Sequence, residues 1–211
     1  LLPMDVLNRA NISKYNTLIM PASYGNLSIS ENTREKIKSW TQAGGTIIAF
    51  ENALTWLNNA GLAKFEMKKD EEKKDAPKPK PYADIEENSG AQETSGAIFE
   101  ATADLTNPLL YGYTNNKIPV FKGNNLYMEK SKNAYGNPLV FTANPLMSGY
   151  ISKQNYAKIK EASVIGIGTL GQGRIIGFTD NLCFRAFWFG SNKMLANAIF
   201  FGNGLSSASS R

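Results

Sequence analysis

The residues able to do chemistry in this chain are defined first by what is missing. There is no histidine among its 211 residues. That excludes every Cys-His-Glu, Ser-His-Asp and Cys-His relay within the chain, because each needs an imidazole to carry the proton. It also removes the usual ligands of a catalytic zinc. A single cysteine, Cys183, rules out an intrachain disulfide and any CxxC redox or metal motif. Cys183 stands between Leu182 and Phe184. That setting reads as a buried, inert thiol, not a nucleophile of lowered pKa. No position is therefore expected to act as a catalytic residue, a metal ligand or a cofactor contact.

Two places keep polar side chains where a ligand could meet them. Glu51 directly follows the apolar run TIIAF, and DNLCFRAFW follows RIIGF after the single residue Thr179. Both lie at the C-terminal end of an expected strand, where open α/β sheets form their ligand crevice. Asp180, Asn181, Phe184, Arg185 and Trp188 are the candidates in the second place. Read functionally, Arg185 takes a carboxylate bidentately beside aromatic walls. Read structurally, Asp180 pairs with Arg185 while the rings pack the last helix onto the sheet. For Glu51 the structural reading is a carboxylate satisfied by nearby helix N–H groups. In both places the structural reading is preferred. A third pattern, Gly166–Gly171, matches G-x-G-x-x-G, but the next segment is the strand RIIGF. Without a helix N-terminus to receive a pyrophosphate, it does not read as a nucleotide site.

The elements that must position these residues are organised around YNTLIMPASYGNLSISENTREKIKSWTQAGGTIIAF, residues 15–50. Tyr15–Met20 is a short apolar strand closed by Pro21. Ser30 or Asn32 can cap a helix, and Asn32 with Glu35 fits a capping box. Thr33, Ile37 and Trp40 give that helix one apolar face, and Gly44–Gly45 ends it. Thr46–Phe50 is a second buried strand, so the pair must be parallel with a right-handed crossover. Ala53–Ala60 is a short helix stopped by Gly61. Residues 96–143 read as a β-rich segment with strands at Ala97–Ala101, Ile118–Phe121, Leu126–Glu129 and Leu139–Thr142. A brief helix follows Ser152. Ser163–Thr169 and Arg174–Phe178 form an antiparallel pair around Gly171–Gly173. A last helix, capped by Ser191 or Asn192, runs to Phe201 and ends at Gly202. The expected class is α/β, with a mainly parallel sheet containing Tyr15–Met20, Thr46–Phe50 and Ser163–Thr169, helices on both faces and a β-rich insertion. One domain is expected over 1–204, with a polar tail at 205–211.

The totals narrow the partners. The net charge of +5 is diffuse, and its densest stretch, Lys64–Lys80, mixes Lys with Asp and Glu. No basic stripe interleaved with aromatics marks a nucleic-acid surface. No apolar run reaches the ~18 residues of a membrane span. Glu66–Pro81 (EMKKDEEKKDAPKPKP) cannot bury enough apolar area to offset ordering entropy, and reads as an exposed, flexible insertion. The chain opens on Leu1 without a basic-then-apolar leader, so it reads as a fragment or a processed chain.

The strand ending in proline, the helix ending in WTQAGG and the run TIIAF resemble the class I glutamine amidotransferase-like, flavodoxin-like fold, including its ThuA-like members. That family places its nucleophile elbow where Phe50–Asn52 stands, and its cysteine is absent there. With ATADLTNPLLYGY, LMSGYIS and GQGRIIGFTDNLCFRAFWFGSNKMLANAIFFG, the chain also resembles the C-terminal domain of large bacterial zinc carboxypeptidases of the carboxypeptidase A-like type. The resemblance implies a periplasmic or secreted protein. It implies peptidase chemistry, and its zinc, in an attached upstream catalytic domain; no HxxE ligand motif occurs here. The expected function is a non-catalytic accessory or interaction domain. The alternatives are a binding module for a small anion or sugar, and a cryptic hydrolase using carboxylates or Cys183.

Overall fold

The computed structural model describes residues 2–23, 29–68, 81–90, 93–94 and 96–205. The strands in chain order are β1 (Thr17–Met20), β2 (Thr46–Phe50), β3 (Ala97–Ala103), β4 (Lys117–Lys122), β5 (Leu139–Ser148), β6 (Ile165–Leu170) and β7 (Gly173–Phe178). The helices are α1 (Met4–Leu7), α2 (Glu31–Gln42), α3 (Asn52–Asn59), α4 (Ile85–Gly90), α5 (Lys153–Ile159) and α6 (Phe189–Phe201).

The main sheet has the order β1-β2-β7-β6. β1, β2 and β7 run parallel, with Ile47 beside Leu18 on one side and Ile175 on the other. β6 closes the edge antiparallel to β7. The third parallel strand is thus Gly173–Phe178, while the Ser163–Thr169 segment supplies the antiparallel edge. The apolar runs alone do not distinguish these two roles.

All five residues of β2 are buried, as a central strand covered on both faces requires. Alternation then divides the core. Ile47, Ala49 and Ile175 join Ile37 of α2 and Leu54 and Leu57 of α3 on one face. Ile48, Phe50, Ile176 and Phe178 belong to the other cluster, with Phe99, Phe141 and Met194. That second face meets α6 and a three-stranded antiparallel sheet of order β4-β3-β5. Pro119 lies in β4, an edge strand, where its missing N–H costs no ladder bond.

Several local expectations are corrected. The cap of α2 is Ser30, whose hydroxyl accepts from the Thr33 N–H. Glu35 does not close a capping box with Asn32; it pairs with Arg34 and Lys38. α6 begins at Phe189, and Ser191 bonds the Leu182 carbonyl instead of capping it. Gly202 keeps helical dihedrals and continues into a 3-10 turn over Gly202–Gly204. Leu126–Glu129 is not a strand; Met128 makes single bridges to Met67 and Ser163. Residues 66–68, expected in the exposed insertion, are tied to 127–129 through Lys68 N–H to Tyr127 O and Glu129 N–H to Glu66 O. The remainder of that insertion, 69–80, lies outside the described residues, as does the tail 206–211. Leu205, expected in the polar tail, is buried in the core. The G-x-G-x-x-G run forms the β6–β7 hairpin, and a Cβ at Gly166 would strike Phe65. The described residues contain no helix long and apolar enough to cross a membrane.

Candidate functional site

β2 ends at Phe50 and α3 starts at Asn52, so the chain reverses within one residue. That residue is Glu51, with φ 48° and ψ −120°. A side chain other than glycine adopts this conformation at a cost on the order of 1–3 kcal/mol. It persists because both flanks are fixed. The Glu51 N–H donates to Phe178 O at 2.9 Å, and the Leu54 N–H donates to Glu51 O at 2.9 Å. The Asn52 amide also clamps Ser23, accepting from its N–H and donating to its carbonyl. This is the strained strand-to-helix geometry of a nucleophile elbow, which lifts one side chain above the sheet.

The Glu51 carboxylate does not cap α3, contrary to the sequence expectation. It faces Asp180 and Lys122. Burial pushes its pKa up, and the Asp180 charge adds to that; Lys122 and the Asn181 N–H act in the opposite direction.

Asp180 follows β7 after the single residue Thr179, and its side chain is fully enclosed. Its partner is not Arg185 but Lys122, at the end of β4, with Nζ 3.0 Å from Oδ1. Lys122 is 0% exposed and Asp180 1%. Such a pair survives only if the remaining hydrogen-bonding capacity is filled. It is: Lys122 Nζ also donates to Asn124 Oδ1 and Leu126 O, and Asp180 also accepts from Asn124 Nδ2 and Thr179 Oγ1. Burial pushes Lys122 down and Asp180 up, while their mutual attraction favours both charges. Three acceptors around the ammonium and three donors around the carboxylate support the charged pair.

The side chains of the other candidates make no hydrogen bond to the Lys122–Asp180 pair, although Phe184 lines one cleft with Asn124. Arg185 has φ 49° and lays its guanidinium over the Phe184 ring, 5.3 Å from the centroid. Phe184 stacks on Phe121 at 4.4 Å, and Trp188 and Phe187 approach Phe121 at 6.4 and 6.2 Å. These rings belong to neither core cluster. They pack on β4 instead of fastening α6 to the main sheet. Asn181 accepts the Cys183 N–H with its Oδ1. Cys183 is exposed, not buried as its neighbours suggested, and partial desolvation still pushes its thiol pKa up.

Glu51, Asp180 and the Asn181 backbone therefore converge, while Phe184, Arg185 and Trp188 form a separate aromatic cluster. Sequence reasoning missed Lys122 and Asn124. The available signal was a lysine closing the apolar strand KIPVFK just before Gly-Asn-Asn. Among the described residues, no group of three or more His, Cys, Asp or Glu is placed to hold a metal ion.

No protein-family model matches the chain, and none of the curated proteins does. Solved structures do. A ThuA-like protein of Parabacteroides merdae is 14% identical, with a TM-score of 0.57 over 95% of this chain and 75% of that one. A cytoplasmic protein of Salmonella typhimurium is 12% identical, with a TM-score of 0.51 over 94% of this chain and 78% of that one. At such identities the likeness concerns the fold alone: the chain shares the α/β fold of these structures, one of which is a ThuA-like protein.

Proposed function

We propose that this chain is a non-catalytic amidotransferase-like domain that serves a larger protein as an accessory or interaction module. The observation that carries the reading is Glu51 at the elbow. The turn is kept with its backbone strain, yet the residue it lifts is a carboxylate beside a self-satisfied Lys122–Asp180 pair. Hydrolytic amide chemistry near neutral pH needs an activated nucleophile and a proton carrier. As the chain has no histidine and a thiol of raised pKa, we assign the elbow no activated nucleophile.

The partner in this proposal is an attached upstream catalytic domain of the zinc carboxypeptidase type, in a periplasmic or secreted protein. The motif resemblance supports that part: GQGRIIGFTDNLCFRAFWFG and the elements flanking it. Zinc would then belong to the upstream domain, and the β4-β3-β5 sheet would be an insertion into the amidotransferase-like frame.

The test compares this chain with the same chain extended upstream. Both are assayed with added zinc on a peptide whose C-terminal residue is released. Turnover is expected only in the extended polypeptide, and Glu51→Gln and Cys183→Ala should leave it unchanged. Turnover by the chain alone, lost in either variant, would overturn the reading.

A further inference from the structure

The parallel strands have a second end, opposite Glu51, and a cleft of about 480 Å³ opens there. Its walls come from segments that just precede the parallel strands: Asn16 before β1, Gly44–Gly45 before β2 and Gln172 before β7. Asn203, in the 3-10 turn after α6, completes the rim with Ser13.

The chemistry of the wall is uniform. Tyr15 and Trp40 supply two aromatic surfaces, and Asn16, Gln172 and Asn203 supply three carboxamides. No charged residue contributes to the lining. Tyr15 is 64% exposed, which is unusual for a ring next to a core strand and leaves its face open. The three carboxamides make no side-chain hydrogen bond with any described residue, so each offers a donor and an acceptor.

The frame behind them is fixed. The Trp40 indole donates to Tyr15 O at 3.0 Å. Its ring lies so close to the Gly45 backbone that a Cβ there would come within 2.6 Å of it. The Gln172 N–H is tied to Gln42 O, and the Thr46 N–H to Asn16 O. The backbone behind the cleft is thus held in place, while the three carboxamides are free to turn toward a ligand.

We infer that this cleft is a binding site for a neutral, hydroxyl-rich ring, that is, a sugar residue. Carboxamides match vicinal hydroxyls, which also both donate and accept. Tyr15 and Trp40 match the apolar C–H face of the ring. An anion would find no cation in the wall, and an organic cation no carboxylate. The site is independent of Glu51 and of the reading given to it, since it lies at the other end of the sheet.

The experiment is an NMR titration of the whole chain with glucose, galactose, mannose, N-acetylglucosamine and maltose, each tested separately. Inorganic phosphate and choline serve as charged probes. At least one sugar is expected to saturate with millimolar affinity. It should move the side-chain amide signals of Asn16, Gln172 and Asn203 and the Trp40 indole N–H. Tyr15→Ala and Gln172→Ala should each weaken binding about tenfold. Neither side chain holds a structural bond, so the melting temperature should stay the same. The inference is overturned if none of these sugars binds to the folded chain. It is also overturned if binding survives both variants, if the moved signals surround Glu51 instead, or if phosphate or choline takes the cleft in place of sugar.

Discussion

At the residue scale, the energetics concentrate in Lys122 and Asp180. Removing one member of a buried pair leaves the other charge unsolvated, at about 3–5 kcal/mol. Asp180→Ala should therefore lower stability by about that amount in urea denaturation. The double variant Lys122→Met with Asp180→Leu should lose much less, because it leaves no buried charge behind. If Asp180→Ala proves neutral, the pair is not the enclosed ion pair described here. Glu51 carries the opposite expectation. Its folded pKa is raised, so the folded state binds the proton more tightly than the unfolded state does. Between the ordinary value of 4.5 and the folded value, stability falls as pH rises, and the penalty is complete above the folded value. Glu51→Gln should thus stabilise the protein at neutral pH, with a gain that shrinks toward zero as pH falls through the carboxylate range. A constant gain across that range would point to another cause.

At the scale of elements, the residue types that set local geometry were legible and the partners across the fold were not. The apolar face of Ile37 and Trp40, the stop at Gly44 with φ 117°, and the Gly171 turn each rest on a few adjacent residues. Those elements stand close to where periodicity put them. The expected pairing of Asp180 with Arg185 failed for a physical reason. Arg185 has a positive φ that turns it onto the Phe184 ring, while Asp180 meets a lysine 58 positions away. No local pattern encodes a contact of that separation. The exposed Cys183 is the same lesson, since apolar neighbours in sequence do not enclose a side chain in a surface turn. Two substitutions test the element-level account. Ser30→Ala should cost about 1 kcal/mol through loss of the α2 cap, measured by thermal denaturation. Gly173→Ala should cost more than Ser30→Ala. Its Cβ would stand 2.0 Å from Thr41 O and 2.5 Å from Gly45 O, so the start of β7 must shift. A harmless Gly173→Ala would contradict the close packing of β7 beneath the end of α2.

At the scale of the molecule, one parallel sheet presents two ends with different chemistry. The C-terminal ends of β2 and β7 carry Glu51 and the Lys122–Asp180 cluster, whose polar groups are turned on one another. The opposite end carries neutral carboxamides and aromatic rings turned outward. The parallel strand–helix–strand frame and the short turn after β2 were readable from WTQAGGTIIAF and the helix that follows. What occupies the elbow's surroundings was not, because Lys122 and Asn124 reach it from β4 and its loop in the second sheet. The central claim, which we propose, is that this elbow presents a carboxylate that performs no hydrolytic chemistry. The most direct measurement is steady-state hydrolysis of glutamine and of p-nitrophenyl esters, from acidic to neutral pH, by the chain and by Glu51→Gln. The account predicts no turnover above the uncatalysed rate for either protein at any pH. Turnover by the chain that disappears in Glu51→Gln, with the fold intact, would contradict it.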